Sequence, residues 1–106
     1  MINYTTPTIS LTVEGIDLTG QDIYVSLEQV RAELTKKGTS LTVSYSEGNT
    51  NITFVLSQEE SAMFKFDKPV EVQVNWIGAN TVRMATEIAT IPVMRNLLAE
   101  VIAYED

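Results

Sequence analysis

The chain has 106 residues, which is enough for one domain with its own hydrophobic core. It contains no cysteine and no histidine, so disulfides, the usual Cys/His zinc sites and catalysis by a histidine base are excluded. Fourteen acidic residues against seven basic ones give a net charge of −7, which argues against binding to nucleic-acid phosphates. We therefore expect a single domain over residues 1–106, with no cofactor and no enzymatic activity.

The sequence shows neither a membrane span nor a signal peptide. No apolar run approaches the roughly 20 residues that a membrane-spanning helix needs. The first residues lack the charged and apolar regions of a signal peptide. We expect the protein to fold in a cytoplasm, to have no membrane partner, and to begin with a flexible polar lead-in over residues 1–7.

The first half of the chain alternates apolar and polar residues, a pattern that predicts strands with one face on a core. The strands are predicted over residues 8–14, 22–27, 40–45 and 50–56, with a loop at 15–20 and a turn at 46–49. In the third of them Leu41, Val43 and Tyr45 should point inward. Residues 27–37 fit either a helix or two strands joined by a tight turn near residues 29–31, and the surrounding strands favour the second interpretation.

The period changes within residues 56–64. Ser57 and Glu60 have the spacing of a capping box, in which each side chain binds the backbone N–H of the other residue at a helix start. Glu59 and Glu60 also lie where the helix dipole favours negative charge. We predict a short helical corner, at about residues 58–64, that carries the chain from one sheet to another.

The second half begins with the clearest alternation in the chain. Residues 70–76 place three valines and Trp76 on one face, after Pro69, which is tolerated at a strand start. A turn at residues 78–80 should lead into a long return strand over residues 81–88. Residues 90–93 then close this part.

The C-terminal residues 94–106 are predicted to be a docking tail or a cover for the sandwich. Four apolar residues have helical spacing, although residues 101–104 could equally pair with a sheet edge. If the segment binds a neighbouring subunit, its partner-docking residues are Leu97, Leu98, Val101 and Ile102.

Seven or eight short strands at a spacing of about 8–12 residues predict an all-β fold. The expected architecture is an immunoglobulin-like β-sandwich of antiparallel strands with one short helical corner. A small closed barrel is the alternative, because the apolar faces must meet a second sheet or close on themselves.

Few residues could carry chemistry. Glu59 and Glu60 are adjacent carboxylates, but neighbouring helical residues do not face each other, so a capping role explains them better. Asp17 and Asp22 flank the loop at residues 15–20 and could hold a weak calcium ion, although their spacing matches no EF-hand. Trp76 is expected to be a core residue. We predict no catalytic, cofactor-binding or metal site.

One order of features resembles a family of phage proteins. Ile-Asp-Leu-Thr-Gly precedes a strand, Leu-Ser-Gln-Glu-Glu-Ser forms the corner, and Val-Gln-Val-Asn-Trp forms the long strand; the matching residues are 16–20, 56–61 with Phe64, 72–76, 88–93 and 97–102. The arrangement resembles small β-sandwich proteins of tailed phages and prophages of Gram-positive bacteria. It is also similar to the N-terminal module of phage upper baseplate proteins, whose long C-terminal extension it lacks. The shared positions are capping, turn and core positions, so no binding residue is carried over.

The resemblance implies a non-enzymatic structural protein, a tail or baseplate accessory subunit that contacts other phage proteins or itself as a homo-oligomer. Its location would be the virion, or the host bacterial cytoplasm before assembly. The alternative is a small acidic inhibitor of a host defence system, similar to anti-CRISPR proteins, that occupies a basic groove. A carbohydrate-binding sandwich is a third possibility and would need an exposed Trp76.

Overall fold

The computed structural model describes residues 1–78 and 82–102, and most of these lie in antiparallel strands. The strands are β1 (Thr8–Glu14), β2 (Asp22–Gln29), β3 (Ala32–Lys37), β4 (Thr42–Ser46), β5 (Asn49–Val55), β6 (Val70–Ile77), β7 (Arg83–Ala85) and β8 (Ala89–Ile91). A 3-10 turn (Gly38–Ser40) precedes β4, and one helix, α1 (Gln58–Ala62), connects β5 to β6. Among the described residues, no helix is long and apolar enough to cross a membrane.

The strands form two sheets. Sheet I has the order β1-β5-β4, and sheet II has the order β3-β2-β6, with β7 and β8 both paired to β6. The chain passes between the sheets three times, and the last passage goes through α1. The predicted all-β sandwich of antiparallel strands is thereby confirmed.

The core lies between the sheets and follows the predicted alternation. Inward residues of β1, β2, β5 and β6 are buried because every second side chain of these strands points to the same face. Trp76 is 6% exposed, so its predicted core position is confirmed. The largest fully buried side chains are Phe54, Phe64, Leu18, Leu27, Ile52 and Leu56.

Two hairpins agree with the sequence patterns. β2 and β3 pair directly, with Val30 and Arg31 between them, so the preference for two strands over a helix in residues 27–37 is confirmed. Arg31 has a φ of 66°, in the left-handed region that tight turns use. In the second hairpin, Glu47 and Gly48 connect β4 to β5.

Tyr45 was predicted to point into the core, but it is not buried there. Tyr45 pairs with Thr50 on the inner side of sheet I, yet 45% of it is exposed. β4 is an edge strand, and sheet II does not cover its end. Ser40, the first residue of the predicted strand, belongs to the 3-10 turn instead.

The single return strand predicted over residues 81–88 is also wrong, because the return is divided into β7 and β8. The register has Asn75 opposite Ala85 and Val72 opposite Ala89, so two residues of β6 face three residues of the return. This extra residue is a bulge. The Thr86 hydroxyl accepts a hydrogen bond from the Val74 backbone N–H at 3.1 Å and maintains the ladder there. Residues 79–81, within the predicted turn and return, lie outside the described part.

The two terminal segments lie against each other. Ile2 and Met94 form a parallel bridge, and the Asn3 backbone N–H donates to the Met94 carbonyl at 3.1 Å. Residues 1–7, expected to be a flexible lead-in, therefore make specific contacts. Beyond Met94, the described tail residues 95–102 form neither the helix nor the strand that the sequence suggested.

Candidate interaction surface

One end of the sandwich, which we call the helix end, gathers α1, residues 1–7, the loop at residues 63–69 and the tail at residues 94–102. Here β5 ends and β6 begins. The Ser61 hydroxyl is buried and donates to the Thr5 carbonyl at 2.6 Å, and the Leu56 N–H donates to the Pro7 carbonyl at 3.1 Å. These bonds attach the N-terminal segment to the corner.

The predicted capping box of α1 is confirmed. Ser57 Oγ accepts from the Glu60 N–H at 3.1 Å, and Glu60 Oε1 accepts from the Ser57 N–H at 2.9 Å. Glu60 also binds Lys36 Nζ at 2.8 Å, and these two side chains are 24% and 15% exposed. This carboxylate is therefore engaged in capping and in attaching β3 to the corner.

The electrostatics of Glu60 follow from these contacts. Desolvation by burial raises its pKa, but three contacts act in the opposite direction: the hydrogen bond from Lys36, the hydrogen bonds of the cap and the charge of Lys36. They outweigh burial, and the pKa of Glu60 lies below its ordinary value of 4.5. Glu60 is ionised at neutral pH, where its negative charge stabilises the helix start.

Gln29 fixes the loop that follows α1. It is 6% exposed, its Nε2 donates to the Lys65 and Lys68 carbonyls at 2.9 Å each, and its Oε1 accepts from the Lys65 N–H at 2.6 Å. One buried amide thus binds three backbone groups of the loop. The conformation of this loop determines where Phe66, which is 52% exposed, is presented.

Two further amides hold the tail. Asn3 Oδ1 accepts from the Asn96 N–H at 3.0 Å, and Asn96 Nδ2 donates to the Asn3 carbonyl at 3.0 Å. Gln58 Nε2 donates to the Ile102 carbonyl at 2.9 Å, and the Ile102 N–H donates to Gln58 Oε1 at 2.8 Å. Each pair is reciprocal, and we call the two pairs the amide clamps.

The apolar side chains of the clamped tail face outward. Leu97 is 89% exposed, and the other predicted docking residues, Leu98, Val101 and Ile102, are 49%, 46% and 56% exposed. The four residues share exposure, although they do not lie on one helix as their spacing suggested. A fixed backbone that presents apolar side chains to solvent is typical of a surface that binds a protein partner.

An open cavity of about 580 Å³ lies beside this tail. Its apolar lining includes Tyr4, Met63, Phe66 and Leu97, so it joins the N-terminal segment, the corner and the tail in one continuous surface. We call this surface, together with the docking residues, the apolar end.

A different surface lies on the outer face of sheet II. Glu28 of β2 is directly opposite Glu33 of β3 on one side and Glu71 of β6 on the other, and all three are exposed. Like charges in directly opposed positions destabilise a sheet. We call these residues the acidic row.

The loop at residues 15–20 has a structural explanation. Asp17 Oδ1 accepts from the Thr19 hydroxyl at 2.6 Å and from the Thr19 N–H at 3.0 Å, and these bonds lower the pKa of Asp17. The buried Thr50 hydroxyl accepts from the Leu18 N–H and donates to the Ile16 carbonyl, at 2.9 and 2.6 Å. Over residues 1–78 and 82–102, no group of three or more acidic residues is placed to hold a metal ion.

Sequence reasoning missed the residues that position the apolar end. Asn3, Gln29, Gln58 and Asn96 are ordinary polar residues in turns, in a helix start or at a strand end, and their partners are 36 to 93 residues away in the chain. No local pattern indicates such pairs. Only the capping box, which is local, could be found beforehand.

Comparisons of the chain with family models, with curated proteins and with solved structures find no match.

Proposed function

We propose that this protein is a non-enzymatic structural subunit of a phage particle, a tail or baseplate accessory protein that acts through protein–protein contacts. The observation that carries the proposal is the apolar end. Its backbone is fixed by the amide clamps, while Leu97 and its neighbours are exposed. A protein that worked alone would gain stability by burying these side chains, at about 25 cal/mol per Å² of apolar area.

The phage assignment comes from the resemblance in the sequence, and the sandwich supports it only at the level of the fold. The markers of that resemblance are the Gly20 strand entry, the capped corner and the β6 strand with Trp76. Gly20 precedes β2, the capped corner is α1, and Trp76 lies in β6.

Mass spectrometry of particles purified from a phage or prophage that encodes this chain tests the proposal. The particles are purified on a density gradient after nuclease and high-salt washes. Several copies per particle are expected. Absence of the chain from washed particles, with the chain present in the soluble lysate, would overturn the proposal.

The acidic row favours a second candidate, an inhibitor that occupies a basic groove of a host defence protein. Repulsion among the three opposed glutamates lowers the stability of the sheet, and a basic partner would offset this repulsion. A pull-down from host lysate at low and high salt tests this candidate. The matched variants are Glu28→Gln with Glu71→Gln, and a control that neutralises Glu14 and Glu47 instead.

The result of the pull-down is clear in either direction. Capture of a basic protein that is lost with the acidic-row variant, and lost at high salt, supports the inhibitor. Capture that is indifferent to both changes, or that the control also abolishes, contradicts it.

A further inference from the structure

We propose that β4 pairs in antiparallel orientation with β4 of a second copy of this chain, so that the two copies of sheet I become one sheet of six strands. Among the described strands β4 pairs only with β5, which leaves its other edge open. An open strand edge presents unpaired backbone groups to which another strand can add. This inference goes beyond the proposed function, because it concerns a different surface and does not depend on a role in a particle.

The first step of the argument is that the free backbone groups of β4 can be identified. Successive residues of a central antiparallel strand direct their N–H and carbonyl groups to opposite neighbours. The Leu56 N–H, directly after β5, donates to the Pro7 carbonyl beside β1, so the even-numbered residues of β5 face β1. Its odd-numbered residues therefore face β4, where they are opposite even-numbered residues. The backbone groups of Val43 and Tyr45 consequently point to the open edge.

The second step is that β4 lacks the features that protect strand edges from pairing. Proteins usually protect such edges with charged residues, prolines or bulges. On sheet II, the β3 edge carries Glu33 and Lys37, and the opposite edge is interrupted by the bulge at Thr86. β4 has the sequence Thr-Val-Ser-Tyr-Ser, without a charge or a proline. Two β4 strands can therefore meet without bringing like charges together, although the chain has a net charge of −7.

The third step is that β4 is complementary to itself, which identifies a second copy as the occupant. With Ser44 of one copy opposite Ser44 of the other, Val43 of each copy lies opposite Tyr45 of the other. Each of these two pairs can exchange two backbone hydrogen bonds, so all the free groups of both residues are used. Centring the pairing on Val43 or on Tyr45 instead would leave the other residue without a partner inside β4.

The side chains support the same register. Val43 and Tyr45 lie on the inner side of sheet I, opposite Ile52 and Thr50 of β5. Sheet II does not cover this end, and Tyr45 is 45% exposed. A β-branched residue opposite an aromatic residue is a favourable pair across strands. Pairing of two copies would therefore cover apolar surface that a single copy leaves in water.

β1, the other edge of sheet I, is less suited to this pairing. Pro7 precedes it and Glu14 ends it. Its inner residues Ile9 and Val13 are each only 8% exposed, so a second copy would gain less apolar burial there than at Tyr45. The open edge of β4 is thus the one at which a second copy gains both hydrogen bonds and apolar burial.

The size of the interface sets the expected affinity. Five residues of each copy pair directly, whereas a standard interface has about 20–30 residues on each side. The dimer should therefore be weak in dilute solution and favoured where copies are concentrated or connected by a second contact. The experiment must detect a weak dimer and determine its register.

Introduced cysteines test the register, because the chain has none of its own. The two Ser44 residues would form a non-hydrogen-bonded pair with Cα atoms about 4.5 Å apart, which a disulfide can span. The full-length variant Ser44→Cys should therefore form a covalent dimer under mild oxidation. Thr42→Cys is the matched control on the same exposed face of β4, where the two thiols would be four residues apart along the strands, about 14 Å. We expect it to cross-link at least about ten-fold more slowly.

Sedimentation equilibrium over a range of protein concentrations measures the dimer without a cross-link. The wild type should associate weakly, and Tyr45→Lys, which places a charge on the inner side of the edge, should weaken the association at least about ten-fold. Val30→Lys is the control, because Val30 is 69% exposed in the turn between β2 and β3. Both variants make the chain less negative, so a general loss of repulsion between copies would act equally in both.

Selective cross-linking of Ser44→Cys and a loss of association in Tyr45→Lys alone support the pairing. Equal cross-linking of the two cysteine variants, or none, overturns it, and so does binding of β4 only to a strand of a different protein. Association that is the same in Tyr45→Lys and Val30→Lys also overturns it. Circular dichroism verifies that each variant is folded, and the cysteine variants decide alone if Tyr45→Lys is unfolded. Because the particle measurement concerns another surface, the pairing and the structural role can fail separately.

Discussion

Gln29 provides the most stringent test of how the helix end is built. In the variant Gln29→Leu the side-chain volume is kept, but the hydrogen bonds to the Lys65 N–H, the Lys65 carbonyl and the Lys68 carbonyl are lost. Net contributions of about 0.5–1.5 kcal/mol each give a sum of about 1.5–4.5 kcal/mol. Because Lys65 and Lys68 lie at the surface, water can reach part of the freed backbone. We therefore expect a loss of about 2–3 kcal/mol.

The assay is equilibrium unfolding in urea, followed by the fluorescence of Trp76. The midpoint should fall while the slope stays constant, since the surface exposed on unfolding is unchanged. Gln73→Leu is the matched control: it removes one hydrogen bond, to the Thr86 carbonyl, and should cost about 1 kcal/mol. If Gln29→Leu costs no more than this control, the clamp on the loop does not stabilise the helix end and the reasoning is refuted.

Three further outcomes follow from the contacts. Glu60→Gln keeps the cap but loses the charge that faces Lys36, and should lower the free energy of unfolding by about 1 kcal/mol at pH 7. Because the pKa of Glu60 is lowered in the folded state, the difference in stability between the variant and the wild type should disappear as the pH falls below 4.5. A difference that persists at pH 2–3 would contradict the ion pair. Glu28→Thr should raise stability by about 0.5 kcal/mol at low salt, and the gain should shrink in 0.5–1 M NaCl; a gain independent of salt would show that charge is not its cause. Thr50→Val should cost about 2 kcal/mol in thermal unfolding because it leaves two loop groups unpaired, whereas Thr53→Val on the outer face of β5 should be near neutral.

The parts of the fold that could be predicted are those that local chemistry decides. Alternation with period two identifies β1, β2, β5 and β6, because each has one face on the core. The capping box at Ser57 and Glu60 depends on residues three apart, so it is visible in the sequence.

The two wrong predictions, on Tyr45 and on the return strand, depend on which other part of the fold packs against or pairs with the segment. Alternation assigns Tyr45 to the inner side of its sheet but cannot show that the other sheet stops short of it. The bulge at Thr86 depends on how β7 and β8 pair with β6. This pairing leaves no pattern in the sequence of the return itself.

The tail is the segment where local reasoning is least informative. Its apolar residues fit a helix and its β-branched residues fit a strand. The structure gives neither, because Asn3 and Gln58 bind its backbone from distant parts of the chain. The four predicted docking residues are exposed together, and their binding to a partner stays a prediction.

Incorporation of a tail variant into particles is the most direct test of the central claim, which is that the apolar end is the surface through which this protein assembles. The variant Leu97→Ser with Leu98→Ser removes two exposed apolar side chains and leaves the amide clamps in place. The control, Val30→Ser, alters a side chain that is 69% exposed in the turn between β2 and β3. Quantitative mass spectrometry of washed particles should find the control at the wild-type copy number and the tail variant reduced at least about ten-fold. Equal incorporation of both variants would contradict the claim.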